Sequence, residues 1–242
     1  MSIDSNTLIE GAKLFPAPIK SFNNLWDITI GNKLEAWNQK SILKNNLDVK
    51  IFKESIENKM SQNSPDKFQE PTLSIIGPAL EASKFYIEEE DIRNMFANLI
   101  AASMNSDFNN IIHHSFVEII KQMSPLDAKI LNSMITGAPL VDIIHVVNRS
   151  YLVHQKNFYF SNIVSESLSN SISIDNLIRL GLIVRQEDEL TDKSLYNHFY
   201  NSETLRNLKI RNPKLNFQLK KTHLLLTNLG NAFKAVCCNS DK

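Results

Sequence analysis

Glycine and proline are scarce in this chain, and their scarcity is the feature that most constrains its fold. The sequence has 6 Gly and 8 Pro among 242 residues, whereas a fold of many short strands needs turn residues at close intervals. Hydrophobic residues make up 43% of the chain and charged residues 21%. These fractions are near the globular average, so the chain can bury a sizeable core. We therefore predict long helices rather than a β fold with many turns.

The N-terminal region has the apolar spacing of amphipathic helices. Between residues 19 and 60, large apolar side chains recur at intervals of three to five, which predicts helix with a break near Gly31. A polar stretch bounded by prolines, residues 61–71, then predicts a loop. The next helix is expected over residues 72–85, with Pro78 as a kink inside it.

The segment from residue 77 to residue 131 holds the clearest helix boundaries. Four consecutive acids, residues 88–91, favour the start of a helix because they complement the positive end of its dipole. A patch of alanines on that helix permits close packing of a neighbouring helix. Ser124 and Pro125 then have the order of an N-cap and a first helical residue. The segment therefore reads as three helices with a connector over residues 105–112.

Several blocks of this segment match a known family in the same order. The blocks are PALEA at residues 78–82, MFANLI at 95–100, HSFV at 114–117 and SPLDAKIL at 124–131. Together they resemble the signature of the abortive infection alpha (Abi-alpha) family, and the resemblance extends over roughly residues 15–236. It implies a bacterial phage-resistance protein, but it implies no chemistry.

The C-terminal part has the element order of a winged helix-turn-helix. The string IDNLIRLGLIVRQ, residues 174–186, reads as a helix that Gly181 ends in a left-handed turn, followed by a strand. An apolar strand near residues 222–226 and a closing helix near 229–236 follow, and residues 140–153 read as helical or mixed. We therefore predict a mainly α fold with a helical domain, residues 1–110, and a winged-helix-like domain, residues 111–242, that carries a small antiparallel β-hairpin.

Nucleic-acid binding is one function that this part could have. Residues 205–223 hold six basic side chains and no acid, and in a winged helix they would fall in the wing, where basic side chains meet phosphates. The candidate recognition helix is nearly neutral, so docking of a phage or host protein is the competing interpretation. The predicted nucleic-acid residues are Arg206, Lys209, Arg211, Lys214, Lys220 and Lys221.

An enzymatic alternative rests on two residues. Arg149 and His154 have the spacing of the Arg-x4-6-His motif of HEPN ribonucleases, in which the Arg would stabilise phosphate and the His would act as acid or base. Ser150 follows the Arg, where that superfamily usually has Asn, Asp or His. The sequence shows no metal-ligand spacing and no glycine-rich phosphate loop. We therefore expect a non-enzymatic protein without metal or cofactor.

The remaining expectations concern location and assembly. The chain has equal numbers of acidic and basic residues, so no global field attracts it to nucleic acid or membrane. It shows no signal peptide and no apolar run that approaches a transmembrane span. The two cysteines are adjacent, which favours a reduced cytosolic pair. We expect a cytoplasmic protein that acts by binding, with homo-oligomerisation as a further expectation and a membrane-acting toxin as the third alternative.

Overall fold

The computed structural model describes residues 16–31, 42–148 and 150–238 of the chain. Two compact units are present: Met1–Pro125 with Ala232–Lys242, and Leu126–Asn231. A compact unit need not fold independently, so the predicted division into residues 1–110 and 111–242 stays a prediction.

The described residues of the first unit are mainly helical. The helices are α1 (Pro16–Thr29), α2 (Ile42–Ser61), α3 (Leu73–Ser83), α4 (Glu90–Ser103), α5 (Ser115–Lys121) and the end of α10 (Asn228–Cys237). Short 3-10 turns lie at Pro65–Lys67 and Ser106–Phe108. Helix α4 is largely buried, since both its large apolar side chains and its alanines lie in the core. The predicted helix starts at the acidic run and at Pro125, and the internal Pro78 of α3, are confirmed.

Aromatic contacts join the helices of this unit. Trp26 of α1 lies 6.0 Å from Phe22 and 5.7 Å from Phe52 of α2, measured between ring centroids. Phe116 of α5 meets Phe233 of α10 edge-on at 5.2 Å, a geometry that aromatic rings prefer. The predicted break near Gly31 falls at the end of α1, but residues 32–41 lie outside the described residues.

The second unit is built around a four-stranded antiparallel sheet. Its strands are β1 (Gly137–Val147), β2 (Ser150–Phe158), β3 (Ile183–Gln186) and β4 (Phe217–Leu226), in the order β2-β1-β4-β3. Its helices are α6 (Pro125–Ser133), α7 (Ser169–Arg179), α8 (Asn197–Tyr200), α9 (Glu203–Arg211) and the start of α10, with a 3-10 turn at Lys193–Tyr196.

The sheet shows that the predicted fold class was wrong. The protein is a mixed α/β fold rather than a mainly α fold with a small hairpin, and a winged helix is not supported. The error lies in residues 140–153, which form most of the β1–β2 hairpin. Their run of Val and Ile is typical of a strand buried on both faces, whose continuous apolar pattern resembles that of a buried helix. Asn148 adopts a φ of 56°, which permits a tight reversal between the two strands.

Different layers cover the two faces of the sheet. Helix α7 contacts β2 and β3 on one face. On the other face, side chains of β1, β2 and β4 pack against the segment 196–205 in one apolar cluster, whose members are Val141, Ile143, Phe158, Tyr196, Phe199, Leu205 and Phe217. The Tyr196 hydroxyl donates to the Thr222 carbonyl oxygen at 2.8 Å and accepts the Leu190 N–H at 2.9 Å. This buried phenol therefore satisfies its polar atom.

The step from β4 to α10 agrees with the sequence interpretation. Gly181 has the left-handed φ of 73° that was expected at the end of α7. Thr227 caps α10, because its hydroxyl oxygen accepts the Gly230 N–H at 2.9 Å. A Cβ atom at Gly230 would lie 1.9 Å from the Leu182 carbonyl oxygen. Only glycine therefore fits this close approach of helix and strand.

Candidate nucleic-acid interface

Helix α9 owes its position to an apolar side that packs on the sheet. Leu205 belongs to the apolar cluster of the sheet, and Leu208 packs against the same cluster. These residues are three apart and so lie on one side of the helix. The opposite side of the helix therefore faces away from the core.

The start of α9 is capped by two oxygen acceptors. The Ser202 hydroxyl accepts the Leu205 N–H at 3.3 Å, and the Glu166 carboxylate accepts the N–H groups of Glu203 at 3.0 Å and Thr204 at 2.7 Å. Burial alone would raise the pKa of Glu166, but hydrogen bonds from Thr204 and Glu203 and the charge of Arg206 hold that pKa below its ordinary value. Three N–H groups in the first turn of α9, which have no acceptor within the helix, are thus hydrogen-bonded.

Helix α9 and the turn after it carry a basic face, in which Lys209 and Arg211 lie on opposite flanks of the helix because they are two residues apart. We use this name for Arg206, Lys209, Arg211 and Lys214, all of which are exposed. Ile210, also on the outer side, is 69% exposed. Arg206 donates to the Asn201 carbonyl oxygen at 3.3 Å. Within the described parts of the chain, the side chains of the other three residues have no hydrogen bond or ion pair, so their charges are available to a ligand.

The other two predicted nucleic-acid residues lie on β4 and have acidic partners. Lys220 forms an ion pair with Glu187 at 2.7 Å, and its ammonium lies 5.6 Å from the centroid of the Tyr151 ring. The hydrogen bond from Lys220 lowers the pKa of Glu187, and the same contact raises the pKa of Lys220. Lys221, one residue on, points to the opposite face of the sheet.

Lys221 is also held by its own contacts. Its ammonium lies 3.7 Å from a Glu189 oxygen, 5.3 Å from the centroid of the Tyr196 ring and 5.9 Å from that of Tyr200. Cation–π and ion-pair contacts of this kind compete with a phosphate for the ammonium group. The structure therefore divides the six predicted residues into four on the basic face and two in internal ion pairs.

The residues of the enzymatic alternative are only partly described. Arg149 lies outside the described residues, so its distance from His154 is not defined. His154 lies on β2, where its Nε2 is 2.5 Å from Nδ1 of His145 and its ring is 4.8 Å from the ring of Phe217. Among residues 16–31, 42–148 and 150–238, no group of three or more His, Cys, Asp or Glu could hold a metal ion.

The sequence interpretation missed a buried polar cluster on the α7 side of the sheet. Asp142 is only 3% exposed, yet Arg185 binds both of its carboxylate oxygens, at 2.8 and 2.7 Å. Asn157, which has a φ of 52°, donates its backbone N–H to Asp142 at 2.9 Å and its amide to Asp175 at 2.6 Å. The hydrogen bond with Asp142 raises the pKa of Arg185. A signal was present, since Asp142 interrupts the apolar run LVDIIHVV.

The structure thus defines a two-unit mixed α/β protein in which α9 presents exposed basic side chains. In the described part of the chain, no helix has the length and apolar character needed to cross a membrane. The sequence model of the family "abortive infection alpha" matches residues 44–237, and the chain belongs to this family. The predicted resemblance is therefore confirmed, and it indicates a role in abortive infection, a form of phage defence. No curated protein and no solved structure matches the chain.

Proposed function

We propose that this abortive-infection protein acts by binding the phosphate backbone of nucleic acid through the basic face, without catalysing a reaction. The observation that carries the proposal is the free basic face of α9: the side chains of Lys209, Arg211 and Lys214 are exposed, close in sequence and unpaired with other described residues. Basic side chains with no internal partner gain the most from phosphates, because binding releases condensed counterions.

The neutral charge of the whole chain makes the distribution of charge decisive. With 26 basic and 26 acidic residues, affinity must come from a local cluster. Helix α9 has its acid, Glu203, in the first turn and its basic residues towards the last turn. The bases thus lie where they also complement the negative end of the helix dipole.

The basic face has the chemistry of phosphate contact rather than base readout. It presents two guanidinium and two ammonium groups and one exposed aliphatic side chain, Ile210, but no aromatic ring on which a base could stack. Contacts to phosphates position a protein but carry no sequence information. We therefore expect binding that is salt-dependent and tolerant of sequence.

Neutralising the three unpaired residues of the basic face tests this proposal. The variant Lys209→Gln/Arg211→Gln/Lys214→Gln should lose most of its affinity for a fluorescein-labelled duplex of DNA or RNA, measured by fluorescence anisotropy at low salt. Arg206 is left unchanged because its charge interacts with the Glu166 cap.

A matched control has the same change in net charge. Lys20, Lys50 and Lys129 are also exposed, and their replacement by Gln should leave affinity unchanged. In cells challenged with phage, the first variant should lose protection and the control should keep it. Equal affinities of the two variants, or no binding by the unmodified protein at low salt, would refute the proposal.

The other functional hypotheses stay predictions. Docking of a phage or host protein, a membrane-acting toxin and a HEPN-like ribonuclease using Arg149 and His154 are each compatible with membership of the family. The ribonuclease hypothesis predicts that His154→Ala abolishes both RNA cleavage and protection, whereas nucleic-acid binding through the basic face predicts that protection survives this change.

A further inference from the structure

Helix α9 directs Ile210 straight away from the sheet. Leu205 and Leu208 are the residues of this helix that pack on the apolar cluster. Because successive residues of an α-helix are about 100° apart around its axis, Ile210 lies about 170° round from the midpoint of the two leucines. Its side chain is 69% exposed. This aliphatic group is therefore available to a ligand that receives the outer half of the helix.

A basic side chain lies on each side of Ile210. Lys209 and Arg211 are its neighbours in the chain, so each leaves the helix about 100° round from it, in opposite directions. Both are exposed, and neither has a hydrogen bond or an ion pair with the residues that the structure describes. The outer half of α9 thus has an apolar centre with one positive charge on each flank.

This arrangement matches the major groove of B-form DNA in size and in charge. The groove is about 12 Å wide, and a helix with its side chains is about 10 to 12 Å across. A helix seated in the groove has one phosphate backbone on each flank and the base edges beneath its outer side. Charges on one flank would reach a single backbone, whereas Lys209 and Arg211 can each meet a different strand.

We propose that α9 binds double-stranded DNA by lying in the major groove, with Lys209 and Arg211 on the phosphates of opposite strands and Ile210 over the base edges. This inference rests on the proposed function and specifies its nucleic acid. The apolar group that the major groove offers to an aliphatic side chain is the C5-methyl of thymine. Ile210 therefore adds a small preference for thymine, without hydrogen-bonded readout of the bases.

The other forms of nucleic acid fit this helix less well. The major groove of A-form RNA is deep and narrow, so side chains cannot read it and a helix cannot lie in it. Proteins hold single strands with aromatic side chains on which the bases stack, and the basic face contains no aromatic residue. Double-stranded DNA is the form that gives all three side chains a partner.

The acidic residue of α9 sets the direction in which the helix enters the groove. Glu203 lies on the same side of the helix as Ile210 but about 10 Å nearer its N-terminus. There it accepts a hydrogen bond from the Asn207 amide at 3.5 Å. A carboxylate close to phosphates is repelled by them. The C-terminal half of α9, which carries the basic residues, therefore enters the groove, and the N-terminal end stays outside it.

Three duplexes of equal length and alternating sequence test these contacts on the full chain: A·T DNA, A·U DNA and A·U RNA. The two DNA duplexes differ in the thymine methyl, and the two A·U duplexes differ in helical form. In fluorescence anisotropy at low salt, A·U DNA should bind at least about tenfold more tightly than A·U RNA. A·T DNA should bind about fourfold more tightly than A·U DNA, the value for one buried methyl group.

The variant Ile210→Ala isolates the contact with the methyl group. It should lose the preference for A·T over A·U DNA and keep the preference for DNA over RNA. Because Ile210 is exposed, its replacement leaves the fold intact. Ile172→Ala is the control, since Ile172 is 71% exposed and lies on α7. This control should keep both preferences.

The outcomes separate this inference from the proposed function. Equal affinities for A·U DNA and A·U RNA would overturn the major-groove assignment, while a loss of affinity in Lys209→Gln/Arg211→Gln/Lys214→Gln would still support phosphate binding. Equal affinities for the two DNA duplexes, or a thymine preference that survives in Ile210→Ala, would overturn the contact of Ile210 with the base edges. No binding to any of the three duplexes would overturn both the inference and the proposed function.

Discussion

The buried pair of Asp142 and Arg185 should control the stability of the sheet unit. We consider Asp142→Leu and Arg185→Met, which keep the branched shape of the aspartate and most of the length of the arginine while removing one charge each. Arg185→Met removes the cation that binds Asp142, a carboxylate that is only 3% exposed. Among the contacts described above, the Asn157 N–H then remains as the partner of Asp142. Removal of one partner from a buried pair costs about 3 to 5 kcal/mol. We expect about 3 kcal/mol for each variant, because Asn157 remains beside Asp142 and Glu187 remains beside Arg185.

The double variant tests the pairwise part of this loss. If the two side chains act mainly on each other, Asp142→Leu/Arg185→Met should cost about 3 rather than about 6 kcal/mol, a coupling energy of about 3 kcal/mol. Urea unfolding followed by circular dichroism gives these values when the m-value stays constant. Lys193→Met, which breaks an exposed ion pair with Glu189, is the control and should cause no measurable loss. Additive losses in the double variant, or single losses below about 1 kcal/mol, would refute the reasoning.

Three further predictions use the same unfolding assay or a thiol reagent. Gly230→Ala should cost about 3 kcal/mol or more because its Cβ meets a backbone carbonyl oxygen, whereas Gly77→Ala, with nothing within 4 Å, should stabilise α3 by about 0.5 to 1 kcal/mol. Burial raises the pKa of Cys238 to about 12 and that of Cys237 well above its ordinary value, so a thiol reagent at neutral pH should label neither before unfolding; rapid labelling of the folded protein would contradict this. The lowered pKa of Glu166 stabilises the fold above its unfolded pKa near 4.5, and this contribution disappears as pH falls through the lower folded value. Glu166→Gln should therefore reduce the dependence of the unfolding free energy on pH in that range. An unchanged dependence would contradict a stabilising role of Glu166 at the start of α9.

Local signals predicted several helix boundaries well. The acidic run at the start of α4 and Pro125 at the start of α6 are helix-boundary signals. They can be found in a sequence because they depend only on neighbouring residues. Gly181 was likewise found from residue type, because it occupies a backbone geometry that few other residues fit.

The sheet could not be predicted in the same way. Strand β1 is buried over most of its length, so its apolar run lacks the alternation that distinguishes a half-exposed strand. Strand β4 begins at Phe217, before the apolar stretch that was expected to form it. The sequence did not reveal its first half, because glutamine and lysine interrupt the apolar residues there. Its pairing with β1 joins residues about 80 apart in the chain, as in Leu140↔Thr222, and no local signal records such a contact.

The basic residues also show that contacts between distant parts of the chain cannot be read from local sequence. Their concentration in residues 205–223 was visible in the sequence, but the partners of Lys220 and Lys221 were not, since Glu187 and Glu189 approach them only when β3 and the loop after it lie beside β4. Counting charges along the chain therefore overstated the surface available to phosphates. Of the six basic residues, the four of the basic face have no acidic partner in the described ion pairs, and Lys220 and Lys221 do.

The salt dependence of nucleic-acid affinity tests the central claim most directly. For a duplex of DNA, the logarithm of the association constant should fall linearly with the logarithm of salt concentration, and each lost phosphate contact should reduce the slope by about 0.9. The variant Lys209→Gln/Arg211→Gln/Lys214→Gln should therefore show a slope smaller by about 2 to 3, while Lys20→Gln/Lys50→Gln/Lys129→Gln keeps the slope of the unmodified protein. Identical slopes for the two variants would contradict the assignment of the basic face.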